Sequence, residues 1–496
     1  MKKILITLLI FSFISVPQVF GINENKIQTT AIEDIKVKNG AVLGLDDCIA
    51  IALNNNPSIK NARYNYGISR AQVGLARSEF FPTIGVGTGY DYTKIHAKRF
   101  NYDTNVYNIN AQLNQLLFNF GKTNARIKME KFYLIADEYN FYNTVRETIF
   151  NVKQKYYEVL ASRASVLINR AYVDINERNY QRTKAYYDEG LKSKIDLVNA
   201  EVNLSDSKIG LIQSQNAYEN SLVNLNNAMY IADSPSYHIE GEGFNLEDNV
   251  APVDLSKISK KTSEQSVNLP KDISDATLVS AVEKLEMLTD YNVEKFPYSF
   301  DECIEMAYKN RADLKAYNST LDAVKENLVY VKRNYYPEIS ANAGYGFRNT
   351  DSTNSFNVGV NLSSSLNIMA QKNQVDSAKY QVEIAQNSVN QLTQDIYFQV
   401  QNAYINMIEL EKQIPLQGVK VRQTLENYEL AEGRYYVGLS DYIELQNAKV
   451  NYNNAQNAYI ETIYKYNVAR AGLESVISYP QRVTVSLEDK KNGRKK

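Results

Sequence analysis

Among the side chains able to do chemistry, two acids stand at matching places. Asp196 follows Gly190 by six residues, and Glu444 follows Gly438 by six. Repeated around a symmetry axis, such carboxylates crowd like charges, resist full ionisation and attract cations. The same acids also suit the first turns of a helix, where they complement the dipole at about 0.3–1 kcal/mol and need no further role. Other reactive groups are few. His96 and His238 form no metal-ligand cluster. Cys48 and Cys303 read as small packing residues, with a disulfide as the second reading in an exported chain. No phosphate loop, metal cluster or nucleophile constellation is present, so neither a cofactor nor catalysis is expected. A net charge of -1 gives no argument for nucleic-acid binding.

The two acids match because the chain repeats itself. Leu45-Asp46-Asp47-Cys48-Ile49 answers to Phe300-Asp301-Glu302-Cys303-Ile304 at an offset of 255 residues. The offset holds at Ala52 and Ala307, at Asn55 and Asn310, and at Phe81-Pro82 and Tyr336-Pro337. Further on, Gly190-Leu191 answers to Gly438-Leu439 and Ile195-Asp196-Leu197 to Ile443-Glu444-Leu445, at an offset of 248. The organisation expected is a signal peptide at 1–21, a linker at 22–43, a first repeat at 44–230, a joiner at 231–297, a second repeat at 298–478 and a basic tail at 479–496. The joiner has room for one short helix near 274–289, and the tail reads as solvated charge.

Each repeat reads as helix, two strands, very long helix, helix. Asp46 and Asp301 read as N-caps of first helices that run towards Phe81 and Tyr336 and stop at Pro82 and Pro337. The pattern then changes to period two. Ile84, Val86, Thr88, Tyr90 and Tyr92 share one face against Gly85, Gly87, Gly89 and Asp91. Tyr107, Ile109, Ala111 and Leu113 alternate with Asn108, Asn110, Gln112 and Asn114. Segments 339–348 and 356–363 repeat the alternation. Apolar on one side and polar on the other is the signature of a transmembrane barrel strand, although one such hairpin alone equally suits a soluble sheet. Helices follow over 122–187 and 371–436, each 66 residues or about 100 Å long. Heptad runs such as Tyr142, Val145, Ile149, Val152, Tyr156, Val159 imply side-by-side packing. Pro415 is expected to bend or open the second long helix. Gly190 and Gly438 permit tight reversals into the last helices.

Lys2 and Lys3, the apolar run Ile4 to Val16 and small residues up to Gly21 read as an export signal. No later stretch is apolar enough for a membrane helix, so crossing a membrane would fall to the strands. Four strands cannot close a barrel, and an open sheet edge in lipid leaves backbone groups unpaired. The barrel must then be shared between copies. Two copies give eight strands and three give twelve, and helices about 100 Å long around a hollow favour the larger ring.

These residues resemble the TolC-type outer-membrane efflux protein family. The resemblance is carried by Leu45 to Pro57, Phe80-Phe81-Pro82, Leu117-Phe118-Asn119-Phe120-Gly121 and Tyr435-Tyr436-Val437-Gly438-Leu439, in order and in duplicate. It implies a mainly α fold with β: duplicated helix–β-hairpin–long helix–helix units in a trimer. A twelve-strand outer-membrane β-barrel would continue into a periplasmic α-helical barrel. It also implies a passive conduit docked to a periplasmic adaptor and an inner-membrane pump, in outer-membrane lipid. The adaptor contacts implied are the tips Tyr187, Gly190 and Leu191, and Tyr436, Gly438 and Leu439, although the glycines equally serve the turn itself. The pore constriction implied is Asp196 and Glu444, with Glu444 favoured and Asn447 standing where a second acid would be expected. Asn367-Ile368-Met369-Ala370 lacks the family's glycine at the second junction, and the joiner is long. The competing class is a trimeric long-helix surface structural protein or adhesin, which needs neither amphipathic strands nor duplication.

Overall fold

The computed structural model describes residues 35–97, 100–231, 236–240, 295–349, 353–364 and 367–479. The expected signal peptide, the possible helix near 274–289 and all but the first residue of the basic tail lie outside the described residues.

A short strand β1 (Val42–Leu43) leads into helix α1 (Leu45–Asn55) and helix α2 (Pro57–Ser78). Strands β2 (Thr83–Ala97) and β3 (Phe100–Phe118) follow, then helices α3 (Lys122–Asp188) and α4 (Lys194–Met229) and strand β4 (His238–Ile239). From Phe300 the same kinds of element recur: α5 (Phe300–Asn310), α6 (Ala312–Lys332), β5 (Glu338–Arg348), β6 (Thr353–Ser363), α7 (Ile368–Tyr436) and α8 (Tyr442–Val476). β1 and β4 pair in parallel, tying the start of the chain to the segment after α4.

Two expectations are corrected here. Asp46 and Asp301 are not N-caps but sit in the first helical turn. The caps are Gly44 and Ser299. The N–H of Gly44 donates to Asp47 Oδ2 at 3.1 Å, and that of Ser299 to Glu302 Oε2 at 2.7 Å. The acid three residues past each cap thus satisfies an otherwise orphaned donor. The first helical run is also two helices in each place. Asn56 leaves helical geometry, its side chain accepts from Ser58 N at 2.7 Å, and Pro57 opens α2 where a missing N–H costs nothing. Arg311 makes the matching break before α6.

The long helices stand close to their expected bounds, at 67 residues for α3 and 69 for α7. α7 starts at Ile368 without a glycine because the Asn367 side chain accepts from Ala370 N at 3.1 Å. The first junction instead turns through left-handed Phe120 and Gly121, and the Arg333 guanidinium donates to the Phe120 carbonyl. Pro415 lies inside α7, and the helix is continuous through it.

Helices pack side by side in one layer. Towards the sheet the order is α2, α3, α6, α7, and away from it α4, α3, α8, α7. The heptad positions Ile149, Val152, Tyr156 and Val159 of α3 and Ile396, Val400, Met407 and Ile414 of α7 are at most 2% exposed. α1 packs on α3 and α5 on α7, which buries Cys48 and Cys303 completely. Both cysteines are free thiols.

Candidate functional site

The four long strands form one sheet in the order β2-β3-β5-β6, with every neighbouring pair antiparallel. Register decides its two faces, because cross-strand partners point the same way. Ile84 pairs with Leu113, Val86 with Ala111 and Tyr90 with Tyr107. Ala111 pairs onward with Tyr345, and Tyr345 with Phe356. The alternating apolar residues of all four strands therefore share one face. They are exposed there, Phe356 at 76% and Val360 at 69%. On the other face Gly87 pairs with Asn110, Gly89 with Asn108 and Gly344 with Asn357. The asparagine side chains lie over these glycines, where an added Cβ would collide with them. Asn361 Nδ2 donates to Asn342 Oδ1 at 2.8 Å across the same face. Aromatic rings flank the apolar band. Tyr90 and Tyr107 meet at 4.7 Å near one end. At the other, Phe118 meets Phe120 edge-on at 4.8 Å and Phe120 stacks on Tyr336 at 5.2 Å. A soluble sheet would bury its apolar face, whereas this arrangement is that of strands in a bilayer.

Both borders of the layer lack a partner. Among the described residues β2 pairs only with β3, and β6 only with β5. The helical borders match. α2 exposes Tyr64, Ile68 and Leu75, and α4 exposes Ile195, Val198, Val202 and Ile209. On the opposite border α7 exposes Ile405, Leu416, Val419 and Leu430. These are spacings of three, four, seven and eleven residues, all close to whole helical turns, so each border carries an apolar stripe without a cover. Different surfaces on opposite borders suit a head-to-tail contact.

At the far end the reversals sit on Gly190 and Gly438, with φ of +73° and +78°. Nothing lies within 4 Å of a Cβ built there, so glycine is needed for the left-handed backbone and not for space. Leu191 N donates to Tyr186 O at 2.8 Å and Leu439 N to Arg434 O at 2.9 Å, closing each helix end in the same way. Leu191 and Leu439 are exposed, at 71% and 72%. Tyr187 is at the border of exposure, while Tyr436 packs against the core. Burial pushes the Tyr436 hydroxyl up to about 12, against the pull of Arg182.

Asp196 and Glu444 are each engaged within their own reversal. Asp196 Oδ2 accepts from Ser193 N at 3.2 Å and Ser193 Oγ at 2.7 Å, while Asp196 N donates to Ser193 Oγ at 3.3 Å. That is a complete capping box. Glu444 Oε2 accepts from Ser440 Oγ at 2.5 Å, and Oε1 lies 3.1 Å from Arg434. The structure adds tip residues that the sequence did not single out. Lys192 Nζ lies 4.0 Å from the Tyr435 ring centre, and Asn203 Nδ2 donates to the Tyr442 hydroxyl at 2.7 Å. Such contacts join segments over two hundred residues apart, so no local pattern announces them.

Burial pushes the Cys48 thiol up to about 12 and the Cys303 thiol to about 11, which suits packing and not reactivity. Among the described residues no three His, Cys, Asp or Glu side chains are grouped to hold a metal ion. No described helix is long and apolar enough to cross a membrane.

The alkaline protease secretion protein AprF of Pseudomonas aeruginosa is 25% identical over 152 residues, 30% of this chain and 32% of that protein. The outer membrane protein TolC of Escherichia coli is 22% identical over 218 residues, 43% of this chain and 43% of that protein. The matched part thus spans less than half the length of these relatives. The solved structure of the CmeC outer membrane channel of Campylobacter jejuni aligns with a TM-score of 0.68 at 16% identity. That alignment covers 87% of this chain and 85% of that one, and at this identity the likeness is one of fold. The profile of the family described as "Outer membrane efflux protein" matches residues 48–229 and 303–478. Channel proteins of that family are conduits and not enzymes. With well over half of its residues matched, the chain belongs to the outer membrane efflux protein family.

Proposed function

We propose that three copies of this chain form a passive duct through the outer membrane, open to solutes driven by another protein's energy. The observation that carries this reading is the pair of uncovered borders: β2 and β6 in the sheet, α2 with α4 and α7 in the helical layer. β2 of one copy beside β6 of the next keeps the strands antiparallel. Three copies then give twelve strands, apolar side outward and the Asn–Gly face towards water. The helical layer continues the wall for about 100 Å into the periplasm. The two repeats, 44–230 and 298–478, would place six similar units around the axis. A long-helix adhesin leaves the amphipathic sheet unexplained.

On this reading the distal reversals meet a periplasmic adaptor, through Tyr187, Gly190 and Leu191 and through Tyr436, Gly438 and Leu439. The adaptor joins the duct to an inner-membrane pump. The relatives' names cover both protein secretion and efflux, and the duct's lining suits either. Mass measurement in detergent is expected to give a trimer as the main species, and reconstitution to give conductance across a planar bilayer. A folded monomer or dimer, or a trimer that does not conduct, would overturn the reading. Leu416→Glu on the α7 border is expected to yield folded monomers that do not conduct.

A further inference from the structure

The helices that meet the sheet carry a basic band that the proposed duct does not use. Over residues 70–79, 122–131, 322–338 and 368–379, the stretches next to the strands, there are eleven Lys and Arg against six Asp and Glu. That is +5 in a chain whose net charge is -1. The two repeats place much of it alike. Arg70 answers to Lys325 and Arg77 to Lys332 at the offset of 255, and Lys131 to Lys379 at 248. All six side chains are exposed. Carboxylates cover only part of the band. Lys122 pairs with Glu338, Arg126 with Glu79 and Lys128 with Glu326. Lys325 pairs with Asp322 and Lys379 with Asp376. Arg70, Arg77, Lys131, Lys332, Arg333 and Lys372 make no ion pair among the described residues, and Glu130 is the acid that remains against them.

Most of these cations share one face. Lys131 stands 25 residues before Tyr156 and Lys379 stands 25 before Tyr404, about seven helical turns in each case. Tyr156 donates to the Glu240 carbonyl just past β4, and Tyr404 packs on Phe300 of α5. Both lysines therefore point to the face that carries α5 and the β1–β4 pair. Arg70 and Arg77 follow Tyr66 by about one and three turns, and Tyr66 acts on Tyr142, which shares the face of Tyr156. Tyr335, just past α6, acts on Lys379. Lys122 stands 34 residues before Tyr156, about nine and a half turns, and points the other way. Its partner Glu338 lies on the Asn–Gly face of β5. The basic face thus continues the apolar face of the sheet.

We infer that this face docks on the headgroups of an anionic phospholipid leaflet, the one on the helical side of the bilayer. The inference rests on the reading of the sheet as membrane-spanning. Apolar strands meet the hydrocarbon, the rings of Phe118, Phe120 and Tyr336 the interface, and the cations the phosphates beyond. Arg77 and Lys332 stand at the last turn of α2 and α6, at headgroup depth. Arg70, Lys325, Lys131 and Lys379 stand about 10–17 Å from the sheet ends of their helices, where long side chains and the surface potential still bridge to the lipid. Each cation held at an anionic surface adds about fivefold to affinity.

The test uses the full chain purified in a neutral detergent. Thermal unfolding is followed as phosphatidylglycerol or phosphatidylcholine is added. A larger, saturable rise in Tm is expected with phosphatidylglycerol, and it shrinks as salt is raised. Arg77→Gln combined with Lys332→Gln removes a matched, exposed pair. It is expected to raise the phosphatidylglycerol midpoint about 25-fold and to leave the response to phosphatidylcholine unchanged. Lys412→Gln combined with Lys420→Gln removes the same charge from exposed positions far along α7 and is expected to keep the parent midpoint. Soluble glycerol phosphate is expected to have no effect. The inference is overturned if the two lipids act alike, if the Arg77 and Lys332 variant keeps the parent midpoint, or if glycerol phosphate reproduces the rise. Trimer mass and conductance are read separately, so a duct that forms and conducts without lipid preference overturns this inference and leaves the proposed function standing.

Discussion

The guanidinium of Arg182 lies over the ring of Tyr436, 4.0 Å from its centroid, and so joins α3 to the last residue of α7. Lys192 and Tyr435 form a second such pair at the same distance. Both bridge from the first helical hairpin to the second near the reversals. Because Arg182 is exposed, its contact is worth about 0.5–1 kcal/mol. A double-mutant cycle on Arg182→Ala and Tyr436→Ala, read by thermal unfolding, is expected to give a coupling of that size. A coupling indistinguishable from zero would mean that the hairpins are held elsewhere.

Deeper in the layer, Arg311 is 3% exposed and clasps Asp313 through two bonds, Nε to Oδ1 at 3.0 Å and Nη2 to Oδ2 at 2.5 Å. Its remaining arm reaches Gln399 Oε1 at 2.7 Å. Asp313→Ala leaves a buried charge without its carboxylate, and a loss of about 3–5 kcal/mol is expected. Burial alone would raise the Asp313 carboxyl, yet the bonds and charge of Arg311 hold it below the usual carboxylate range. The folded value is thus depressed, so this stabilisation is present above about pH 4 and lost as pH falls through the folded value. Tm measured against pH in the acid range should fall more steeply in the parent than in Asp313→Ala.

Leu439 stands bare at the second reversal, with its backbone N–H already used to close the helix. Leu439→Asp changes the surface offered to a partner and not the turn. Normal assembly with lost export is expected. Export at the parent level in cells would remove Leu439 from the docking surface and leave Gly438 with a conformational duty alone.

Glu444 is partly exposed and paired with Arg434, which is more exposed still, so the pair contributes little to stability. Glu444→Gln is expected to lower the cation selectivity of single channels in bilayers, with trimer stability nearly unchanged. Unaltered selectivity would leave Glu444 as a helix-start residue, the role that Asp196 already fills with Ser193.

Features that repeat locally were readable from the chain alone. Alternation along Ile84 to Tyr92 and Phe356 to Leu362 marked the face that the register confirms. The caps of α1 and α5 lie two residues before the expected Asp46 and Asp301, because several polar residues compete there. Asp46 and Asp47 are adjacent acids, and the choice of cap depends on which residue leaves helical geometry. The break at Pro57 carries a proline signal, whereas the break at Arg311 carries none. Contacts near the reversals were not legible. Lys449 looks like any solvated lysine of a helix until α3 and α7 close over it.

The unbroken course of α7 through Pro415 has a mechanical consequence. A continuous helix about 100 Å long carries a tilt at one end to the other. Tilting it by about 3° at the sheet would sweep its distal end through about 5 Å, roughly one helical turn. Small adjustments at the root of α7, where Gln371 Nε2 donates to Asn334 O at 3.2 Å, are therefore levered into large ones at Tyr436. Side chains beside the sheet can set the position of the second reversal from a distance.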